Sequence, residues 1–200
     1  MSVDRREFLR QAGLGTVAAG MLPALINAFA SSASAQGQRG FAFLAVSAAG
    51  PAGTAAQPQH TIAMGGEGTF DPSRPGSRAD GGGTFFHFTT PGTPPLPVVG
   101  AGRWQARLLV NYREIGTYAG HAAGVADLVV DIFRQLPSPA VFRGALLTIS
   151  CNVGAAGLQT GNIEGYTLSI PGTEFSAGGT PGPFRPLPPG GVGLTIFRVG

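Results

Sequence analysis

The sequence predicts an all-β fold, a single small antiparallel β-barrel or β-sandwich of about eight strands preceded by a signal peptide. Three observations predict it. Apolar runs of about six to ten residues recur between breaks rich in proline and glycine, which number 17 and 33 in a chain of 200 residues. Proline lacks the N–H a ladder needs and glycine relaxes the backbone, so both end strands. Within the runs apolar residues alternate with polar ones, the period of a strand with one buried face. Finally, only 12% of residues are charged, which leaves few gatekeepers for open strand edges and favours closure.

The first 35 residues read as an address. Asp4-Arg5-Arg6-Glu7-Phe8-Leu9-Arg10 is basic, Ala12–Ala30 is apolar but broken by Gly13, Gly15 and Gly20, and Ser31-Ser32-Ala33-Ser34-Ala35-Gln36 follows. Ala33 and Ala35 suit the small pockets of a signal peptidase, which places the cut before Gln36. The segment resembles a bacterial twin-arginine (Tat) signal peptide. Arg5-Arg6-Glu7-Phe8-Leu9-Arg10 matches that family's R-R-x-F-L-K pattern, with Arg for the final Lys and Asp4 where Ser or Thr is common. The resemblance implies recognition by the Tat translocase through Arg5, Arg6, Phe8 and Leu9 and export of a folded protein. It also implies removal of the leader by signal peptidase, a periplasmic or secreted location, and no membrane attachment afterwards. The alternative is a retained N-terminal anchor. Gly13-Leu14-Gly15-Thr16-Val17-Ala18 imitates a dinucleotide fingerprint, but twin arginines precede it where a strand is required.

Without the leader, 165 residues remain with ten Arg and eight acids, a net charge of +2. Spread over single arginines, that charge offers no footprint for nucleic acid. The chain has no Lys, which excludes a Lys nucleophile, a Schiff base and a Lys-dependent phosphate loop. One Cys excludes an internal disulfide and an all-cysteine metal site. Residues 36–58 are assigned as a flexible lead-in, with Phe41–Ser47 as a candidate strand inside it, and 59–200 as the all-β domain.

The remaining candidate strands are Thr61–Phe70, Gly83–Thr90, Arg103–Tyr112, Val125–Arg134, Arg143–Asn152, Ile163–Ile170 and Val192–Val199. In Arg103–Tyr112 the alternation puts Trp104, Ala106, Leu108, Val110 and Tyr112 on one face, against Arg103, Gln105, Arg107 and Asn111. Leu128, Val129, Ile132 and Leu136 also suit a helix face. β-branched content and the nearby Gly120 and Gly124 favour a strand, with Ala126, Leu128, Val130 and Ile132 inward and Asp127 and Asp131 on a solvated face. Gly68-Thr69-Phe70 echoes Gly83-Thr84-Phe85, as expected of adjacent strands joined by the Pro/Gly-rich loop 71–82. Residues 171–191 read as a long loop draped over one end. Glu164-Gly165-Tyr166-Thr167-Leu168 and the final Gly193-Leu194-Thr195-Ile196-Phe197 are similar to segments of small exported bacterial β proteins of unknown function. Allene oxide cyclases and lipocalins share the expected architecture at fold level only.

Candidate chemistry is sparse. Cys151 alternates with Leu147, Ile149 and Val153, the position of a buried, inert thiol. Blue copper would want a His and a Met soon after the Cys, and neither follows. His60, His87 and His121 lack ligand spacing, so no metal and no cofactor is expected. His87 shares a strand face with Phe85 and Thr89; it reads as a hydrogen-bonded or solvent-facing strand histidine or, where that face points into a barrel, as the candidate general acid/base or ligand donor, with Glu67 or Glu164, each either cavity-lining or outside, as its carboxylate. Asp127 and Asp131 lie roughly 13 Å apart by strand rise, too far for a shared-proton dyad or a glycosidase pair. Asp71 and Asp80 bracket a loop without matching a calcium series. Glu114 and Glu174 complete the acids. Tyr112, Tyr118, Tyr166 and Trp104 are candidates for an apolar pocket or core. No G-x-S-x-G, H-E-x-x-H, C-x-x-C or P-loop occurs.

The leading expectation is therefore an exported binding or structural module, with a small apolar molecule as the candidate ligand. The alternatives are a small exported barrel enzyme of cyclase, isomerase or hydrolase type using His87 with a carboxylate, and an accessory subunit of a Tat-exported redox complex.

Overall fold

The alternating runs become strands throughout the computed structural model, which describes residues 37–49, 60–89, 98–171, 183–187 and 192–199. The leader positions Arg5, Arg6, Phe8, Leu9, Ala33 and Ala35 lie outside these residues, as does Glu174. The strands are β1 Arg39–Ala49, β2 His60–Phe70, β3 Asp80–Thr89, β4 Val98–Tyr118, β5 His121–Leu136, β6 Ala140–Cys151, β7 Gly165–Ser169, β8 Arg185–Pro186 and β9 Val192–Val199. A 3-10 turn, Ala155–Gln159, joins β6 to β7. The sheet pairings are antiparallel, and the ambiguous Val125–Leu136 run lies in β5.

Six strands close a ring: β1, β2, β3, β4, β5 and β9 pair in turn, and β9 returns to β1. From β5 the sheet also branches through β6 and β7. Phe184 joins Leu168 of β7 by two backbone hydrogen bonds of 2.9 Å, and Arg185 and Pro186 pair with Ala48 and Ser47 of β1. The gap between β5 and β1 is thus bridged twice. β9 lies beside residues 39–46 of β1, and the β6–β7–β8 branch reaches residues 47–48.

Three expectations need correction. The lead-in assigned to 36–58 contains β1, which pairs with β2, β8 and β9; its alternating Phe41, Phe43 and Ala45 are core. The loop 171–191 is not merely draped over an end, because residues 184–186 are hydrogen-bonded into the sheet and Phe184 is buried. The single alternation expected over Arg103–Tyr112 also breaks. Register shifts between Ala106 and Leu108 and between Leu109 and Asn111 insert extra residues. Leu109 turns fully inward while Val110 is 43% exposed, the usual consequence of a bulge.

The interior is filled with aromatic side chains. Phe41, Phe43, Phe70, Trp104, Tyr166 and Phe197 are all at most 2% exposed, and burial of each contributes on the order of 2–3 kcal/mol. Their polar tips are satisfied: Trp104 Nε1–H donates to the Gly65 carbonyl at 3.1 Å and the Tyr166 hydroxyl to that of Ile62 at 2.7 Å. Gly66 lets this packing happen, since a Cβ there would meet the Trp104 ring and the Gly82 carbonyl. At the β4–β5 hairpin Ala119 and Gly120 both take positive φ, 49° and 79°, as a tight two-residue turn demands. The Arg39 end of the ring is plugged by the Arg39–Glu114 ion pair at 2.5 Å, with the Tyr112 ring 5.9 Å from the guanidinium.

Candidate functional site

The opposite end carries a different set of groups. Cross-strand register places His60 on β2, His87 on β3, Gly100 and Gly102 on β4, Arg134 on β5 and Phe142 on β6 along the inward face. His87 lies opposite Ile62, and Phe85 opposite Met64; Ile62 and Met64 are fully buried. His87 is therefore an interior residue and not a solvent-facing one.

Its partner is an imidazole and not a carboxylate. His60 Nδ1 and His87 Nε2 lie 3.0 Å apart, so one ring nitrogen donates its proton to the other. Burial, reinforced by the charges of His60 and Arg134, pushes the His87 pKa down to about 4. Burial also lowers that of His60. Both rings are neutral at pH 7. The Arg134 guanidinium lies over the Phe142 ring at 5.5 Å, and its Nε–H and Nη2–H donate to the carbonyl and hydroxyl of Ser138 at 3.0 and 3.3 Å. Phe184 meets His87 edge to face, centroids 6.0 Å apart.

The proposed carboxylates are placed elsewhere. Glu67 pairs with Ala42 and Gly82, on the face of β2 opposite to Ile62 and Met64 and five residues from Ile62, roughly 17 Å by strand rise. Glu164 accepts a hydrogen bond from the Thr195 N–H at 3.4 Å. Thr195 pairs with Phe43, while the strand position aligned with His87 is Ser47. The His87–carboxylate arrangement expected for catalysis is not assembled by either acid.

The other candidates resolve individually. Cys151 is buried, its thiol donates to the Thr195 carbonyl at 3.2 Å, and burial raises its pKa. Asp127 accepts from the Thr148 hydroxyl at 2.6 Å. Asp131 corrects the expectation of a solvated face. It is buried, held by two Arg107 nitrogens at 2.8 and 2.9 Å and by the Gly144 N–H at 3.1 Å, with Arg143 at 3.5 Å. Burial alone would raise its pKa, but these hydrogen bonds and charges outweigh it, and the carboxyl titrates below its ordinary value. Asp71 binds the hydroxyl and N–H of Ser73, and Asp80 pairs with Arg78. Tyr118 is 62% exposed, whereas Tyr166 is core. Burial raises the pKa of both Tyr112 and Tyr166. His121 stands at the start of β5, its Nδ1 buried without a partner among the described residues. Among the described residues no group of three or more His, Cys, Asp or Glu side chains could hold a metal ion.

Sequence reasoning missed the roles of His60 and Arg134. Hairpin register could have found the first: joining β2 to β3 across 71–79 places His60 opposite Thr89, two positions along the same face from His87. Comparison with protein families, with curated proteins and with solved structures finds no match to the chain. Among the described residues no helix is long and apolar enough to cross a membrane.

Proposed function

We propose that this chain is an exported binding module, its closed sheet serving as a rigid frame and its ligand contacts lying at the end that carries His60, His87 and Arg134. The observation that carries the reading is the pairing of His87 with His60. An interior histidine locked to a second neutral imidazole, with Glu67 and Glu164 placed elsewhere, suits recognition better than general acid/base turnover. The filled interior supports the same reading, because it makes the sheet stiff and leaves contacts to the ends. The twin-arginine pattern at Arg5 and Arg6 and the Ala33-x-Ala35 signal support export to the periplasm or beyond.

Thermal melting of the purified protein against a panel of small apolar molecules, neutral and charged, tests the binding reading. A saturable rise in Tm with at least one member is expected. A flat response across the panel overturns it.

A further inference from the structure

We propose that the exported chain closes its own N-terminus: Gln36, the first residue after the Ala33-x-Ala35 cut, cyclises to pyroglutamate and leaves a mature protein without a primary amine. This rests on the export reading and adds a modification site to it.

The chemistry follows from which residue the cut exposes. Cleavage after Ala35 gives Gln36 a free α-amine. The amine nitrogen and the side-chain Cδ of one glutamine then stand at the two ends of a chain that closes as a five-membered lactam. The α-nitrogen bonds to Cδ, the Cδ–Nε2 bond breaks, and the amide nitrogen leaves as ammonia with the proton the amine gives up. No oxidant, reductant or second substrate enters. Closure within one residue has the advantage of an intramolecular reaction, with both reacting groups already held together.

The fold leaves the attachment point unencumbered. Gln36 itself lies outside the described residues, but Gly37 and Gln38, which join it to the sheet, are both exposed. A Cβ built on Gly37 would meet nothing within 4 Å. Ordered pairing begins only at Arg39, which lies opposite Phe70 of β2 and Val199 of β9. Extended chain from Gln36 to Arg39 spans at most about 10 Å.

Composition makes the event total. With no Lys in the sequence, the α-amine is the sole primary amine the mature chain has. Closing it removes every amine nucleophile, and with it the one positive charge that is not an arginine or a histidine. The lactam also protects β1. An aminopeptidase has only Gln36, Gly37 and Gln38 to remove before it reaches Arg39, whose guanidinium pairs with Glu114 and lies over the Tyr112 ring. Without an α-amine to recognise, it cannot start.

Reductive dimethylation of the native protein from the periplasmic fraction, done before any digestion, tests this, because the label marks only amines that were open in the folded protein. Mass spectrometry should find an N-terminal peptide that begins at residue 36, is lighter than its glutamine form by one ammonia, and carries no label. Aminopeptidase should leave the protein at full length. Gln36→Asn keeps the amide but would need a strained four-membered ring, so it should carry one dimethyl label at residue 36 and be shortened by aminopeptidase. If that variant is not exported, Gln36→Ala serves, with the same expected label. A labelled amine on Gln36, or shortening of the unsubstituted protein, overturns the cyclisation and leaves the export reading standing. A label on Met1 of exported protein would remove both.

Discussion

His60 Nδ1 and His87 Nε2 meet at 3.0 Å although 27 residues separate them in the chain. The contact is diagonal across the β2–β3 pair, because His60 lies opposite Thr89 and His87 opposite Ile62. It ties β2 to β3 near one end of the ring, and burial keeps both imidazoles neutral at physiological pH.

Acid should unlock it. The His87 pKa falls from 6.5 to about 4 on folding, so the unfolded chain binds the proton more readily. Stability from this group is complete above pH 6.5 and is lost as pH falls through 4. The loss amounts to about 3 kcal/mol at most. His60 shifts in the same direction. Urea unfolding at pH 7.5, 5.5 and 4.5 should show the midpoint falling, and His87→Gln should flatten that slope. An unchanged slope in the variant would assign the acid sensitivity to other groups.

Asp131 titrates in a lower window, since its pKa is held below the ordinary 3.8. Its stability is present above that value and is lost as pH falls below it. Asp131→Asn should cost about 1–2 kcal/mol, less than the 3–5 of a fully buried pair. The discount follows from exposure: the Arg107 and Arg143 side chains are 42% and 75% exposed and can rehydrate. Asp127→Asn, which keeps a partner for the Thr148 hydroxyl, should cost under about 1 kcal/mol. Denaturant midpoints for the two variants check the order.

The contrast between these aspartates shows where sequence reading runs out. Strand positions were legible because alternation and Pro/Gly breaks are local. Bulges were not, because they depend on the partner strand. The β4–β5 pairing shifts register at four places, and β6 shifts against β5 between Val130 and Ile132. Gly144 and Arg143 reach Asp131 beside that last shift, which turns an apparently solvated acid into a buried one. The same irregularity hides Arg134, whose neighbour on β4 is Gly102 rather than the residue an even ladder from Asn111 and Asp127 would give. His60 was within reach, since the β2–β3 ladder runs evenly from His60 to Thr69.

Cys151 should be chemically silent in the native state. Its thiol is 1% exposed, donates to the Thr195 carbonyl and has a raised pKa, so the reactive thiolate is scarce. A disulfide-exchange reagent should label one equivalent in denaturant and almost none in native buffer. Rapid native labelling would mean that β6 opens from β9 readily.

Export should leave a new N-terminus at Gln36, read by mass spectrometry of the periplasmic fraction. Replacing both Arg5 and Arg6 with Lys should hold the precursor inside the cell, because the translocase pattern rests on the paired guanidinium groups. An intact Met1 on exported protein would point instead to a retained anchor.

Gly66→Ala should be among the most damaging single substitutions in the fold. The added methyl would overlap the Trp104 ring and the Gly82 carbonyl. The carbonyl belongs to the adjacent strand, so relief requires moving β3 or expelling the indole that Gly65 anchors. Overpacking against backbone in a filled interior should cost about 3 kcal/mol or more. Gly76→Ala is the control. Gly76 has φ +82° but nothing within 4 Å of its would-be Cβ, so only left-handed strain of about 1–2 kcal/mol applies. Thermal melting should rank Gly66→Ala well below Gly76→Ala, with near-ultraviolet dichroism of Trp104 changed in the first alone. Equal losses with an unchanged tryptophan signal would show that β2 and β3 part easily, and that the indole does not set the spacing between them.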